Sequence, residues 1–227
     1  MKTIISLLHN VPLFQQLTED DLLGIAPLFT EKKVKKGSIL FFEGDAGGEF
    51  FLIKSGVVKI YRLDEAKEII LALFRDGDFF GEMSLIGSHQ TRSATAETLE
   101  SCTLYILKHS DFSQYMEKSP KLLFKLLETT MNRLRQANEQ IYDLTFLGVR
   151  SRIMKTIIRL SEQHGVATPD GLLINVKLTH QQIANMVGTV RESVTKVLQE
   201  LLDDECIQID KKLITLRNVD AIKNEIR

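Results

Sequence analysis

LTHQQIANMVGTVRESVTKVLQELLDD, residues 178–204, decides the architecture. Thr179 followed three residues later by Gln182 is a capping box, the pattern that satisfies the free N–H groups where a helix starts. Ile183, Ala184 and Val187 then form a buried stripe, and Gly188 supplies a turn. A second helix is predicted from Arg191 to Leu202, with Val194, Val197, Leu198 and Leu201 inward and Arg191, Glu192, Thr195, Lys196 and Gln199 outward. Small Ala184 lets the two helices cross closely, and a glycine in a three-to-four-residue turn is the mark of a helix-turn-helix. The recognition helix of such a unit reads base edges with its N-terminal residues.

The outward chemistry fits that task. Arg191 can donate two hydrogen bonds to guanine N7 and O6, Glu192 can accept from cytosine N4, and Lys196, one turn on, adds a base or phosphate contact. Thr179, His180 and Gln181 at the start of the first helix, with Thr189, Ser193 and Thr195 near the second, complete the polar set expected to face double-stranded DNA. CIQID-KK-LITLR, residues 206–217, reads as a tight hairpin with Lys211 and Lys212 at its tip, a wing placed to touch phosphate. A helical hairpin used for protein contacts would share the periodicity. It would not explain the order of cap, alanine, glycine, Arg-Glu and hairpin.

The rest of the chain is globular in composition. Of its 227 residues 44% are apolar and 26% charged, which argues against disorder, a fibrous repeat or a disulfide-stapled miniprotein. No stretch approaches the ~20 uninterrupted apolar residues of a membrane-spanning helix, and MKTIISLLHNVPLF lacks a long apolar run and a small-residue cleavage site. A cytoplasmic protein without a membrane partner is expected. Net charge −1 looks unfavourable for nucleic acid, but residues 1–149 hold 17 basic and 20 acidic groups while 150–227 hold 12 and 10. The halves are therefore −3 and +2. Cys102 and Cys206 are too few for a four-thiolate zinc or iron–sulfur site.

From Val34 to Leu107 the pattern is of many short strands punctuated at Gly37, Gly44-Asp45, Gly56, Asp76-Gly77 and Gly87. An antiparallel barrel or jelly roll follows, preceded by a short capped helix at Thr18-Glu19-Asp20-Asp21. At Ser119-Pro120 the period changes: serine suits the N-cap and proline the first helical position. This helix is predicted to run to about Leu147, with a heptad seam of Leu123, Leu127, Thr130, Leu134, Ala137, Ile141 and Leu144. About 28 residues span ~42 Å, longer than a small barrel covers, so pairing with a second copy is expected. Beyond Gly148 a helix is predicted at Ser151 to Gln163, then a polar turn-rich stretch to Gly171.

FFGEMSLIGSHQTRSATAETL, residues 79–99, carries the other chemistry. Backbone N–H groups at a short helix start beyond Gly81, with the guanidinium of Arg92 and the hydroxyl of Ser93, make a phosphate cradle. Glu82 beside it can accept from a sugar hydroxyl. The same pair also suits a structural ion pair in a barrel loop.

FGEMSL…TRSATA resembles the phosphate-binding cassette of cyclic-nucleotide-binding domains, and nearly the whole chain resembles the CRP/FNR family of bacterial transcription regulators. The resemblance implies an α+β chain: a jelly-roll (double-stranded β-helix) cyclic-nucleotide-binding domain at 1–118, a dimerisation helix at 119–148 and a winged helix-turn-helix at 149–227. It implies that Arg92, Ser93 and Ala94 hold a cyclic phosphate, that Glu82 takes the ribose 2′-hydroxyl with backbone help from Gly81, Met83 and Ser84, and that Arg133 contacts Glu82. Where the cyclic AMP-responsive branch has a Thr-Ser pair on the long helix to contact adenine, this chain has Ala137-Asn138. Asn138 can still hydrogen-bond a base; Ala137 cannot. Cyclic AMP is the expected effector, with another small molecule, or none, as the alternatives.

The resemblance also implies a homodimer on a palindromic operator with half-sites near TGTGA, and a contact with RNA polymerase through residues 162–171. Lys196 stands where that branch has arginine, and lysine cannot reproduce a bidentate fork. No metal, haem or iron–sulfur cofactor is expected. His9, His89 and His109 are isolated histidines, and a cupin-type enzyme would need several converging on a metal. No nucleophilic triad is apparent, so no enzymatic activity is expected.

Overall fold

The computed structural model describes residues 2–65, 67–85 and 91–226. Two helices lead the chain, α1 (Lys2–Asn10) and α2 (Glu19–Ile25). The second is capped as predicted: Thr18 Oγ1 accepts from Asp21 N at 3.2 Å and Asp21 Oδ2 accepts from Thr18 N at 3.0 Å. Helix α1 was not anticipated, although Ile4 and Leu8, one turn apart, bury its inner face against Phe14 and Leu22.

Among the described residues eight strands follow: β1 (Thr30–Val34), β2 (Ile39–Phe41), β3 (Glu49–Ser55), β4 (Val58–Asp64), β5 (Lys67–Phe74), β6 (Phe79–Phe80), β7 (Thr95–Thr98) and β8 (Cys102–Lys108). They form two four-stranded sheets, ordered β1-β8-β3-β6 and β2-β7-β4-β5, which is the jelly roll expected. Alternation along β3 sends Phe51 and Ile53 between the sheets, to meet Val58, Phe80, Ala96 and Leu104. Phe50 and Leu52 point the other way, into a second core with Phe79 and Leu107. There Phe50 stacks on Phe79 at 5.3 Å and on Phe112 at 4.9 Å. Phe112 comes from α3 (His109–Lys118), and Leu122 and Leu126 of the next helix close the same core.

That next helix, α4 (Pro120–Phe146), has 27 residues, and Ser119 Oγ accepts from Leu122 N at 3.4 Å at its start. Leu122 and Leu126 are buried on the barrel side. Leu127, Leu134, Ile141 and Leu144 of the seam are each at least half exposed.

The C-terminal part is built from α5 (Val149–His164), β9 (Gly165–Thr168), β10 (Gly171–Ile174), α6 (His180–Val187), α7 (Arg191–Asp203), β11 (Ile207–Asp210), β12 (Leu213–Leu216) and α8 (Val219–Asn224). Two features correct the sequence expectation. The stretch from His164 to Gly171, read as polar turns, forms a β-hairpin that joins the wing strands in one sheet, ordered β11-β12-β10-β9. Four-residue strands are too short to display alternation, and their cause is tertiary, the pairing of β10 with β12 through Leu172↔Leu216 to Ile174↔Ile214. Helix α8 was likewise missed; Asn218 Oδ1 accepts from Ala221 N at 3.0 Å to cap it and Ile222 anchors it.

By contact the chain divides into two compact units, Met1–Arg62 with Leu71–Arg135, and Leu63–Ile70 with Gln136–Arg227. Among the described residues no helix is long and apolar enough to cross a membrane. Gly87, predicted as a turn, and His89, weighed as a haem ligand, lie outside the described residues.

Candidate nucleic-acid interface and effector site

The helix-turn-helix forms from the residues that predict it. Thr179 Oγ1 accepts from Gln182 N at 3.1 Å and Gln182 Oε1 accepts from Thr179 N at 2.8 Å, closing the capping box. Gly188 ends α6 in the left-handed region, φ 71°, with its N–H returned to Ala184 O. In α7, Val194, Val197, Leu198 and Leu201 are buried, while Arg191, Glu192, Thr195, Lys196 and Gln199 are exposed and Ser193 is half-buried. Thr189, in the turn, is half-buried as well.

Two polar contacts fix the outer surface. Thr195 Oγ1 donates to Arg191 O at 3.0 Å, and His180 Nδ1 lies 2.8 Å from the same hydroxyl. One hydroxyl hydrogen cannot serve both, so the imidazole Nδ1–H donates and Nε2 is left to face outward. Gln181 Nε2 donates to Asn185 Oδ1 at 2.8 Å, holding the amide on the first helix. Arg150, invisible to motif reasoning, ties the start of α5 to Glu200 of α7 and, at 2.6 Å, to Glu225 beyond α8.

The wing turn is unusual chemically. Lys211 and Lys212 have φ of 46° and 69°, the positive pair of a type I′ turn, where Asn-Gly is the favoured sequence. Two lysines held there carry local strain, which concentrates at functional sites. Lys212 O accepts from Leu178 N at 3.2 Å, so the tip is anchored at the entry to the helix-turn-helix. Thr179, His180, Gln181, Arg191 and Lys212 thereby converge on one open groove of about 460 Å³.

In the barrel, Gly81 sits at φ 87° before the single helical turn Glu82–Ser84. A Cβ there would come within 2.8 Å of Arg92 Nη1 and 2.9 Å of Glu49 O, so both its conformation and its neighbours demand glycine. The buried Arg92 guanidinium uses Nη1 to contact Glu49 O at 3.0 Å, Gly81 O at 3.1 Å and Ser84 Oγ at 3.0 Å, and it lies 4.2 Å from the Phe41 ring. Among the described residues its buried Nε has no hydrogen-bond partner. Burial pulls its pKa below the usual arginine value, opposed by Glu49, Asp45 and Glu82. The side-on edge of the guanidinium is thus left for an acceptor, and a phosphate oxygen pair fits such an edge in bidentate fashion.

Glu82 is buried and pairs through Oε1 with Arg133 Nη1 at 2.7 Å. Arg133 also donates from Nη2 to Phe79 O at 2.6 Å, and its guanidinium carbon lies 4.6 Å from the Phe74 ring and 4.7 Å from the Phe79 ring. This fixes the carboxylate and leaves Oε2 for a hydroxyl. Ser93 is exposed, its Oγ 3.7 Å from Sδ of exposed Met83, and Ala94 is buried at the strand entry. Sequence reasoning supplied these side chains but not the carbonyls of Glu49 and Phe79, because a backbone acceptor has no residue signature. Ala137 and Asn138 are exposed on α4, in the second compact unit.

Comparison with known proteins agrees with this arrangement. Residues 31–119 match the family described as cyclic nucleotide-binding domain, and residues 151–225 match the Crp-like helix-turn-helix domain. The anaerobic regulatory protein of Bacillus subtilis (strain 168) is 31% identical over 199 residues, covering 87% of this chain and 84% of that protein. The cAMP-activated global transcriptional regulator CRP of Salmonella typhimurium is 32% identical over 186 residues, 81% of this chain and 88% of that one. Among solved structures, the c-di-GMP responsive global regulator CLP of Xanthomonas campestris gives a TM-score of 0.74 at 25% identity, over 88% of this chain and 99% of that chain. With both halves matched in order and relatives aligned along most of their length, the chain belongs to the CRP/FNR family of DNA-binding transcription regulators and is not an enzyme.

Proposed function

We propose that the chain works as a homodimer, paired along α4, that binds a palindromic operator when cyclic AMP occupies the barrel, and that it acts as an activator. In this scheme residues 1–118 receive the effector, 119–148 pair the chains, 149–227 hold DNA, and 162–171 meet RNA polymerase. The observation that carries the effector assignment is the state of Arg92: one nitrogen anchored on protein acceptors, Nε buried and unpaired among the described residues. A desolvated N–H without a partner costs ~1–3 kcal/mol, which a cyclic phosphate would recover. The free Oε2 of Glu82 stands ready for a ribose hydroxyl. The exposed apolar seam supports pairing, since Leu127, Leu134, Ile141 and Leu144 are left at least half uncovered by the described residues.

A ligand shifts such an equilibrium only by its differential affinity for the two states, typically a factor of about 5 to 150. Anisotropy titration of a labelled duplex carrying two TGTGA half-sites, with and without cyclic AMP, tests the scheme. Tightening in that range is expected for the native chain and none for Arg92→Leu. Unchanged affinity in the native chain sinks the cyclic AMP assignment and leaves DNA binding standing. Ala137 favours a second scheme, an effector without adenine, because methyl replaces a hydrogen-bonding group there. Calorimetry with cyclic AMP, cyclic GMP and cyclic di-GMP separates the two.

A further inference from the structure

A cavity of about 450 Å³ lies where the C-terminal end of α4 meets α5 and the segment around α8, within the range of about 300–1,000 Å³ typical of small-molecule sites. Two of the cations in its wall are neutralised locally: Lys155 Nζ is 2.6 Å from Asp143 Oδ1, and Lys223 Nζ is 3.7 Å from Glu162 Oε1. Arg159, half-buried in the same wall, is not: among the described residues its guanidinium makes no hydrogen bond and no ion pair. Burial depresses its pKa, with Asp143 and Glu139 opposing from beyond contact distance. Glu139, on the rim, likewise makes no hydrogen bond and no ion pair among the described residues and acts on Arg159 only through its field.

A guanidinium carries five donors, and those of Arg159, half-buried and met by no protein acceptor among the described residues, stand open to a ligand in the cavity. The charge count narrows what that ligand is. With the two local pairs cancelled, the wall presents one separated positive group and one separated negative group, so a polyanion gains nothing over a neutral ligand of matching polarity. Tyr142, Leu147, Ile158 and Ile226 supply apolar surface between them.

We propose that this cavity is a second ligand site, for a free α-amino acid with an apolar side chain. The carboxylate sits on Arg159, the ammonium on Glu139, and the side chain on Tyr142 and its apolar neighbours. The site joins the end of the long helix to the core of the winged helix, so occupancy stiffens that junction independently of the barrel.

Calorimetry on the full chain with L-phenylalanine and L-leucine tests this, with 3-phenylpropionate lacking the ammonium and phenethylamine lacking the carboxylate. Saturable binding of one amino acid per chain is expected, at least tenfold weaker for either analogue. Arg159→Met and the surface change Glu139→Gln should each weaken it at least tenfold, and Arg92→Leu should leave it intact. No saturable binding of either amino acid overturns the proposal. So does equal binding of the analogues, or undiminished binding by Glu139→Gln. The last readout stands even where Arg159→Met fails to fold.

Discussion

Single residues carry most of the chemistry, and two substitutions separate base reading from the effector cradle. Arg191 is exposed at the first turn of α7, and in the proposed scheme it forks onto a guanine. Arg191→Ala should cost ~1–3 kcal/mol on the specific duplex and almost nothing on random DNA, as competition titrations would show. Equal losses on both would remove its role in base reading. Gly81→Ala forces a side chain into φ 87° with Arg92 and Glu49 O under 3 Å away. It should destabilise the barrel by about 1–3 kcal/mol in urea unfolding and abolish any effector response, with DNA contacts of the wing untouched. Glu82 and Arg92 were legible in the sequence as charged side chains at a fixed spacing, and Arg133 only through the family resemblance, whose pairing with Glu82 the structure contains. The direction in which Arg92 points was not, because Glu49 O, Gly81 O and the Phe41 ring decide it across long stretches of chain.

At the scale of elements, a long period and complete capping boxes declared themselves, and short segments with neither did not. The seven-residue spacing of α4 repeats over enough residues to be recognised, and α2 and α6, though short, carry paired cap side chains at a fixed offset. The β9–β10 hairpin has four residues per strand, and Gly171 is there because a Cβ would meet Leu216 O at 2.2 Å, a contact with a strand forty-five residues later. The wing turn offers a direct test of function against stability. Replacing Lys211-Lys212 by Asn-Gly restores the residues a type I′ turn prefers, and should stabilise the winged helix by about 0.5–1 kcal/mol in thermal unfolding. The same change removes two cations per chain that the proposed wing contact sets against phosphate. The slope of log K against log salt should then flatten by about 2 for each wing on DNA. Greater stability with an unchanged slope would take the wing off the phosphates. On the seam, Leu134→Glu places a charge on an exposed apolar stripe that the barrel does not cover. Sedimentation should show a folded monomer, and the palindrome should lose its advantage over a single half-site.

Across the whole molecule the decisive quantity is charge. A net −1, split as −3 and +2 between residues 1–149 and 150–227, would give the proposed dimer −2, so its summed charge would repel DNA slightly while the more basic C-terminal part would attract it. Even there the excess is small, because Asp203, Asp204 and Glu205 follow the recognition helix and oppose Arg191, Lys196, Lys211 and Lys212. Non-specific affinity comes almost wholly from phosphate neutralisation, and for DNA-binding proteins in general it lies near 10⁻⁴–10⁻⁶ M at physiological salt. This chain should fall at the weak end of that range. Exposed charges act over about 8 Å at 0.15 M salt, so the three acids weigh mainly on nearby phosphates rather than on base contacts. Replacing all three by alanine should therefore raise affinity for random duplex on the order of threefold and narrow the ratio between operator and random DNA. Filter binding at 50 and 200 mM salt gives both quantities. A ratio that widens instead would mean that these carboxylates tune the recognition helix itself, and that selectivity here does not come from a deliberately small electrostatic reserve.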